Sequence, residues 1–165
     1  MNSRLKAPLI ASMTAAIVLG AFSGLAQKKG AVPFPTGYRH WTVVKTMMIY
    51  GNQHPLFKQL GGLHNVYVND LGLASLKQGK AYPDGTVFVF DLFDIHSAQG
   101  AIETRGRKFV AVMKKNAKLN PSTGGWGWEV FKGDELKGSL QDPKLCFDCH
   151  TSQKRVEYVF STYTP

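Results

Sequence analysis

The chain contains two cysteines, Cys146 and Cys149, and a histidine, His150, directly follows the second one. The three residues form the pattern C-x-x-C-H, which is the attachment signature of c-type haem. Two thiols at this spacing can form thioethers with the two vinyl groups on one porphyrin edge, and the adjacent imidazole can then bind the iron. The motif predicts one covalently attached haem c, held by Cys146 and Cys149, with His150 as the iron ligand.

Three other chemistries of a C-x-x-C pair remain open at this stage. A redox-active dithiol typically follows a strand and opens a helix, and a structural disulfide would suit an oxidising compartment. A zinc site would need a further, distant ligand. The candidates for that ligand are His40, His54, His64 and His96. The histidine directly after the pair favours haem over all three.

The N-terminal segment predicts export. Residues 1–26 contain two basic residues, Arg4 and Lys6, no acidic residue, and a mostly apolar remainder. Small residues at Gly24 and Ala26 match the positions that signal peptidase reads, so cleavage is expected after Ala26. A retained membrane anchor is the alternative, because an apolar run of this length is near the lower limit for spanning a bilayer. A cleaved signal peptide predicts a periplasmic protein, and haem c is attached after translocation.

The remaining residues, 27–165, suit a single haem-binding cytochrome domain. The chain is 44% hydrophobic and 19% charged, as expected of a globular protein. Without Arg4 and Lys6, 18 basic residues stand against 11 acidic ones, which gives a formal charge of +7. This length and composition exclude a multidomain enzyme, a repeat array and a disulfide-rich miniprotein, and nothing indicates nucleic-acid binding.

Alternating and β-branched segments predict an α+β fold: a β-rich antiparallel sheet with a few short helices, and the haem near the C-terminal C-x-x-C-H segment. A helix is expected over residues 71–80, and the Pro83-Asp84-Gly85 turn precedes the clearest strand. The predicted strands cover residues 41–50, 64–69, 86–93, 107–113, 125–132 and 156–163. The stretch from 51 to 62 is expected to be a loop.

The group that lies on the side of the iron opposite His150 decides whether the protein transfers electrons or binds a ligand. A period of two places His64 with Val66 and Val68 on the apolar face of its strand, so it is either a core histidine or a residue of a distal pocket. Phe90 shares an aromatic strand face that could be core or ligand gate. The methionines of the strands, such as Met113, could reach iron but usually fill cores.

Five further segments stand in a recognisable order around the motif. They are Tyr38-Arg39-His40-Trp41, His64-Asn65-Val66-Tyr67-Val68-Asn69, Tyr82-Pro83-Asp84-Gly85-Thr86-Val87, Trp126-Gly127-Trp128-Glu129-Val130 and Tyr158-Val159-Phe160-Ser161-Thr162-Tyr163. In this order and spacing the chain resembles the cytochrome P-460 and cytochrome c′-beta family over nearly all of residues 27–165. The resemblance implies a β-rich homodimer and a five-coordinate haem on the proximal histidine.

The family comprises two chemistries. Its P-460 members oxidise hydroxylamine with a lysine bonded to the haem and a distal acid, whereas its c′-beta members bind nitric oxide or carbon monoxide in an apolar pocket. When the chain is aligned with the family from the turn at residues 84–86, the position of the cross-linking lysine falls on Phe90. The position of the distal acid falls near Met113. Neither side chain can perform the P-460 chemistry. The resemblance therefore favours c′-beta, with His64, Phe90 and Met113 as candidate distal-pocket residues.

The sequence thus predicts an exported monohaem c-type cytochrome with an apolar, open distal side. Its expected role is binding or detoxification of nitric oxide or carbon monoxide. One alternative is hydroxylamine oxidation, for which Lys77 or Lys80 could supply the haem cross-link in another register. The other is plain electron transfer, with His64 or a methionine as a second iron ligand.

Two expectations concern partners. The lysines near the fourth strand form either a solvated basic face or a docking site for an acidic redox partner. They are Lys108, Lys114, Lys115 and Lys118. A homodimer is implied by the resemblance, and residues 87–93, apolar on both faces, agree with one.

Overall fold

An antiparallel sheet of five strands organises the chain in the computed structural model, which describes residues 32–164. The strands are β1 (Thr42–Ile49), β2 (Gly62–Val68), β3 (Val87–Ala98), β4 (Ala101–Lys115) and β5 (Trp126–Lys132). The helices are α1 (Phe57–Leu60), α2 (Asp70–Gln78) and α3 (Lys144–His150), with 3-10 turns at Tyr38–His40, Pro121–Thr123 and Thr151–Val156. The predicted α+β class is confirmed. The predicted signal peptide, residues 1–26, lies outside the described residues.

Each strand pairs with the next one in the chain, in the order β1-β2-β3-β4-β5. Such a meander needs short connections only, because antiparallel neighbours start where the previous strand ends. Five of the six predicted strands and the predicted helix are confirmed, although β3 and β4 are longer than expected. The expected loop after β1 contains the short helix α1. In the part of the chain that the structure describes, no helix has the length and apolar character to cross a membrane.

The sheet buries both of its faces, because side chains alternate along each strand. We call one side the N-terminal face. Its core consists of Val32, Tyr38, Val87, Val89, Val110, Val112 and Phe131. We call the other side the motif face. Its core consists of Val68, Tyr82, Phe88, Met113, Trp126, Trp128 and Val159, and Cys146 and Phe147 of α3 pack against it. The two apolar faces of β3 are therefore both covered within this chain and do not by themselves require a partner.

A buried ion pair fixes the N-terminal face. The Asp91 side chain is fully buried, and its carboxylate accepts hydrogen bonds from the Tyr38 hydroxyl and Arg107 Nε, each at 2.6 Å. Arg107, whose side chain is 6% exposed, also pairs with Asp134. Burial and the neighbouring carboxylate raise the pKa of Tyr38 above its ordinary range. A buried carboxylate is tolerated only when it is paired and hydrogen-bonded, so this cluster ties the N-terminal segment and the loop after β5 to one register of β3.

The connection from β2 to β3 is fixed by one asparagine. Asn69 caps α2 by accepting a hydrogen bond from the Gly72 N–H at 3.1 Å, and the same oxygen accepts one from the Val87 N–H at 3.1 Å. Its amide group donates to the Gly85 carbonyl at 2.9 Å. Gly79 ends the helix in the left-handed conformation, which glycine adopts without a steric penalty. The helix thus lies across the motif face, where Leu73 and Leu76 join the core.

The prediction of a final strand over residues 156–163 is wrong. The sheet contains no strand after β5 among residues 32–164. A 3-10 turn runs to Val156, and Glu157 and Tyr158 both have positive φ, at 58° and 66°. Two successive left-handed residues reverse an extended chain, so the apolar residues that follow cover the motif face instead of pairing along it.

The prediction that four lysines form one solvated basic face is also wrong. Lys115 is 8% exposed and its ammonium group pairs with Glu157 at 3.0 Å. Lys114 is the preceding residue in β4, so its side chain leaves the opposite face of the sheet. Lys108 donates to the Gly61 carbonyl at 2.9 Å. The alternation of a strand therefore disperses residues that are close in sequence.

The ends of β3 and β4 project beyond the other strands as a two-stranded ribbon, residues 94–106. The pairing of β2 with β3 reaches Phe93, and that of β5 with β4 reaches Phe109. Within the ribbon, Ser97 pairs with Ile102, which is 44% exposed. A two-stranded hairpin is only marginally stable by itself in water, and residues 96–106 of the ribbon are exposed.

Candidate functional site

The C-x-x-C-H residues lie at the end of α3. Cys146 and Cys149 are three positions apart on a helix, so their thiols project from one side. Both thiols are free, and Cys146 is partly buried whereas Cys149 is exposed. Lys144 donates to the Asp148 carboxylate at 2.6 Å, one helical turn along the outer surface. A short helix therefore presents two thiols together and ends at His150.

The surroundings of the pair do not match two other chemistries of a C-x-x-C motif, a redox-active dithiol and a zinc site. The motif ends its helix, whereas a redox-active pair usually opens one. Burial raises the pKa of the Cys146 thiol, which is the opposite of the change that activates a cysteine nucleophile. Residues 32–164 contain no group of three histidine, cysteine or acidic side chains that could hold a metal ion. The arrangement favours thioether attachment of a porphyrin.

His150 is held in one orientation by the chain that follows it. Its Nδ1 lies 2.6 Å from the carbonyl oxygen of Tyr158. Because a carbonyl can only accept, Nδ1 carries the proton and Nε2 keeps its lone pair. Burial lowers the pKa of His150, which keeps the ring neutral at neutral pH. A neutral imidazole whose other nitrogen donates to a carbonyl is the usual form of a metal-binding histidine.

Two aromatic rings enclose the His150 imidazole. Trp128 of β5 and Phe160 of the C-terminal segment both contact it edge-on, with ring centroids at 4.4 and 4.8 Å. Trp128 is 6% exposed, and its indole N–H is buried without a hydrogen-bond partner among the described residues. Such an orphan donor is rare in a finished core, so it points to a bound group that offers an acceptor.

His64 and Phe90 meet on the motif face, in the stretch of the sheet beyond Phe88. Their rings stack with centroids 4.2 Å apart, and Phe90 stacks in turn on Phe109 at 5.9 Å. His64 is 3% exposed, so the prediction that it points inward is confirmed. Burial and the charge of Lys45 lower the pKa of His64 to about 4, so it is neutral at neutral pH. Its Nδ1 is buried without a hydrogen-bond partner in the described residues.

The wall around Phe90 is apolar, as the pairing register shows. Phe90 pairs with Val66 on one side and Ala111 on the other, and Ala111 pairs with Val130. No carboxylate stands in this row of the sheet. The row ends at β1 with Lys45, which pairs with Val66 and is partly buried. The face therefore combines small and aromatic side chains with one amine at its edge.

The other sequence candidates lie apart from the His64–Phe90 stack. Met113 is on the same face but pairs with Phe88 and Trp128, and it packs in the core that contacts α3. The structure thus places Met113 on the side of His150. Lys77 and Lys80 are exposed at the end of α2 and just after it, where the Lys77 ammonium group lies 5.1 Å above the ring of Tyr163.

Two surface grooves lie away from the C-x-x-C-H motif. One, of about 350 Å³, lies between β1 and Thr164 at the C-terminal end of the described chain. The other, of about 290 Å³, runs along α2 from Asp70 to Gln78. Neither is lined by a residue of the C-x-x-C-H motif.

A comparison with protein families decides the kind of protein. The family model for cytochrome P460 matches residues 35–161, which is most of the chain. The chain belongs to the cytochrome P460 family. Among curated proteins, none matches the chain significantly. Membership makes the protein a haem-binding cytochrome, and the match spans all five strands together with the motif helix.

The residues of the chain fit the haem that the family implies. Cys146 and Cys149 are free thiols on one side of a helix, and His150 offers Nε2 while Nδ1 is occupied. The buried Trp128 N–H beside His150 and the Nδ1 of His64 are both without partners in the described residues. Buried polar atoms without partners are expected where a cofactor completes the packing.

Sequence reasoning missed the residues that hold His150. Neither the Tyr158 carbonyl nor the ring of Phe160 was a candidate, because both were assigned to a strand. Trp128 had a usable signal, since Trp126 and Trp128 alternate with glycine and must point to one face. The contact of Lys115 with Glu157 had none, because the two residues are 42 positions apart in the chain.

Proposed function

We propose that the protein is an exported monohaem c-type cytochrome that binds nitric oxide or carbon monoxide. The single observation that supports this most strongly is the apolar row around Phe90, on the same sheet face as the residues that contact α3. A charged or strongly hydrogen-bonding ligand loses its hydration in such surroundings, whereas a small neutral gas loses little. The proposed role is reversible gas binding or detoxification.

The covalent and coordinating residues follow from the motif. Cys146 and Cys149 would form the thioethers, and His150 would bind through Nε2 because its Nδ1 donates to the Tyr158 carbonyl. A haem held there by one protein ligand would supply an iron that can take a diatomic gas. The chain itself orients the imidazole, surrounds the site with apolar side chains and keeps His64 neutral.

Absorption spectroscopy of the purified holoprotein tests this function. We expect a high-spin c-type spectrum in both oxidation states and a Soret shift of the reduced protein on adding carbon monoxide or nitric oxide. The His64→Leu variant should give the same spectra, because His64 is not an iron ligand in this proposal. A low-spin spectrum that His64→Leu abolishes would instead establish an electron-transfer cytochrome with two strong ligands.

One observation favours the alternative of hydroxylamine oxidation. That chemistry requires an amine joined to the haem, and Lys45 is a partly buried amine at the edge of the Phe90 row. Proteolysis of the holoprotein followed by mass spectrometry separates the two functions. A haem that carries only the peptide with Cys146 and Cys149 supports gas binding. A haem joined to a second, lysine-containing peptide, lost in Lys45→Met, would support hydroxylamine oxidation.

The proposed location is the periplasm and the proposed assembly a homodimer. Location is tested by the mass of the mature protein purified from a periplasmic extract, which should start at Gln27. A retained leader would contradict the location.

The ribbon of residues 94–106 supports a dimer, since it carries the exposed Ile102 and has no neighbouring strand among the described residues.

A further inference from the structure

The backbone beside His150 adopts an unusual conformation. Glu157 and Tyr158 have φ angles of 58° and 66°, in the left-handed region that residues with side chains rarely adopt. This bend aims the Tyr158 carbonyl at His150 Nδ1, 2.6 Å away. Two consecutive residues persist in such a conformation only where other contacts impose it. The question is which contacts do so.

A lysine from β4 reaches the first residue of the bend. The Lys115 ammonium group donates to Glu157 Oε2 at 3.0 Å and to the Gly124 carbonyl at 2.9 Å. It also lies 5.0 Å above the ring of Trp126. The Lys115 side chain is 10% exposed, whereas that of Glu157 is 41% exposed. Lys115 is thus anchored in the sheet and holds a residue of the C-terminal segment.

Two further contacts define the same bend. The Trp126 indole N–H donates to the Glu157 carbonyl at 3.0 Å, and the Tyr158 N–H donates to the Gln153 carbonyl at 2.8 Å. A side chain at Gly124 would come within 2.2 Å of the Tyr158 ring, so that ring is closely packed. Of these contacts, the ion pair is the one that substitution of a partly exposed side chain, that of Glu157, can remove.

We propose that Lys115 and Glu157 are positioning residues for the iron ligand His150. Their ion pair holds the Glu157–Tyr158 bend and thereby sets the strength of the hydrogen bond from His150 Nδ1 to the Tyr158 carbonyl. This inference rests on the assignment of His150 as iron ligand. A donor bond from Nδ1 makes the imidazole a more basic ligand, and such outer partners affect a metal site nearly as strongly as the ligands do.

The expected effect of losing the pair follows from that link. With Lys115→Met the stem of the side chain remains but the charge is gone, so the bend relaxes and the hydrogen bond weakens. A less basic imidazole binds ferric iron less strongly than the imidazole of the wild type does. We expect the iron–histidine stretching frequency of the reduced protein to fall. We also expect the ratio of ferrous to ferric protein at a fixed potential to rise about tenfold, an upward shift of about 59 mV for one electron.

The experiment measures resonance Raman spectra and reduction potentials of the holoprotein and three variants. Lys115→Met and Glu157→Ala remove the pair from either side, and Lys114→Met is the matched control. Lys114 is the adjacent residue and its side chain lies on the N-terminal face, where it pairs with Val87. Both pair variants should shift in the same direction while the control stays at the wild-type values.

The results that would overturn the proposal differ from those that concern the proposed function alone. Unchanged spectra and potentials in both pair variants, or equal changes in Lys114→Met, would overturn it. If Lys115→Met yields no holoprotein, the more exposed Glu157→Ala alone decides by the same criterion. A wild-type protein without an iron–histidine mode would refute the ligand assignment and this inference together. Loss of gas binding with a normal iron–histidine mode would instead concern only the proposed function.

Discussion

The buried His64 makes a sharp prediction about stability and pH. Its pKa is lowered to about 4 by burial and by the charge of Lys45, against an ordinary value of 6.5. In the unfolded chain the ring therefore takes up a proton at a higher pH than it does in the folded protein. Stability rises with pH wherever the unfolded state binds more protons. The contribution of His64 is therefore fully present above pH 6.5 and is lost as the pH falls from 6.5 to 4.

The size of this effect follows from the two pKa values. Each pKa unit corresponds to about 1.4 kcal/mol, so a shift of this size amounts to about 3 kcal/mol below pH 4. Most of the loss has occurred by pH 5, where it reaches about 2 kcal/mol relative to pH 8. The His64→Leu variant has no proton to gain at this position.

Guanidinium unfolding of the holoprotein at pH 8 and pH 5 measures the difference. We expect the wild type to lose about 2 kcal/mol more than His64→Leu between these conditions. The control is the variant His96→Leu, at an exposed position of β3. Like His64→Leu, it removes one histidine that could bind iron in the unfolded chain. Parallel losses in the wild type and His64→Leu would show that His64 titrates alike in the folded and unfolded states, and the reasoning from burial would be refuted.

Three further substitutions test other parts of the molecule. Phe90→Ala should open the apolar row and speed carbon monoxide rebinding after flash photolysis, and an unchanged rate would place Phe90 away from the gas. Asp91→Asn leaves the nearly buried Arg107 without its inner partner. It should lower the free energy of unfolding in urea by about 3–5 kcal/mol, because an uncompensated buried charge is strongly destabilising. A decrease below about 1 kcal/mol would mean that Asp134 alone suffices to compensate the charge of Arg107. Ile102→Glu in the ribbon should convert the proposed dimer to a monomer in sedimentation, and a monomeric wild type would contradict that assembly.

The strands could be predicted because local pattern and global burial agree in them. His64, Val66 and Val68 alternate with polar residues, and the sheet buries that side as the pattern requires. The C-x-x-C-H motif is equally local, since its chemistry depends on three residues within five positions. Asn69 also carried a local signal, since asparagine is a preferred helix cap. Its further bonds to Gly85 and Val87 belong to the tertiary fold.

The C-terminal segment shows where such reasoning fails and why. Residues 156–163 have the β-branched and aromatic composition of a strand. The left-handed residues Glu157 and Tyr158 break the extended conformation, and what holds them is a lysine from β4 and an indole from β5. No window of sequence around residue 157 contains either group. The residues proposed to attach a haem can thus be recognised locally, whereas those proposed to orient its ligand depend on strands that are distant in sequence.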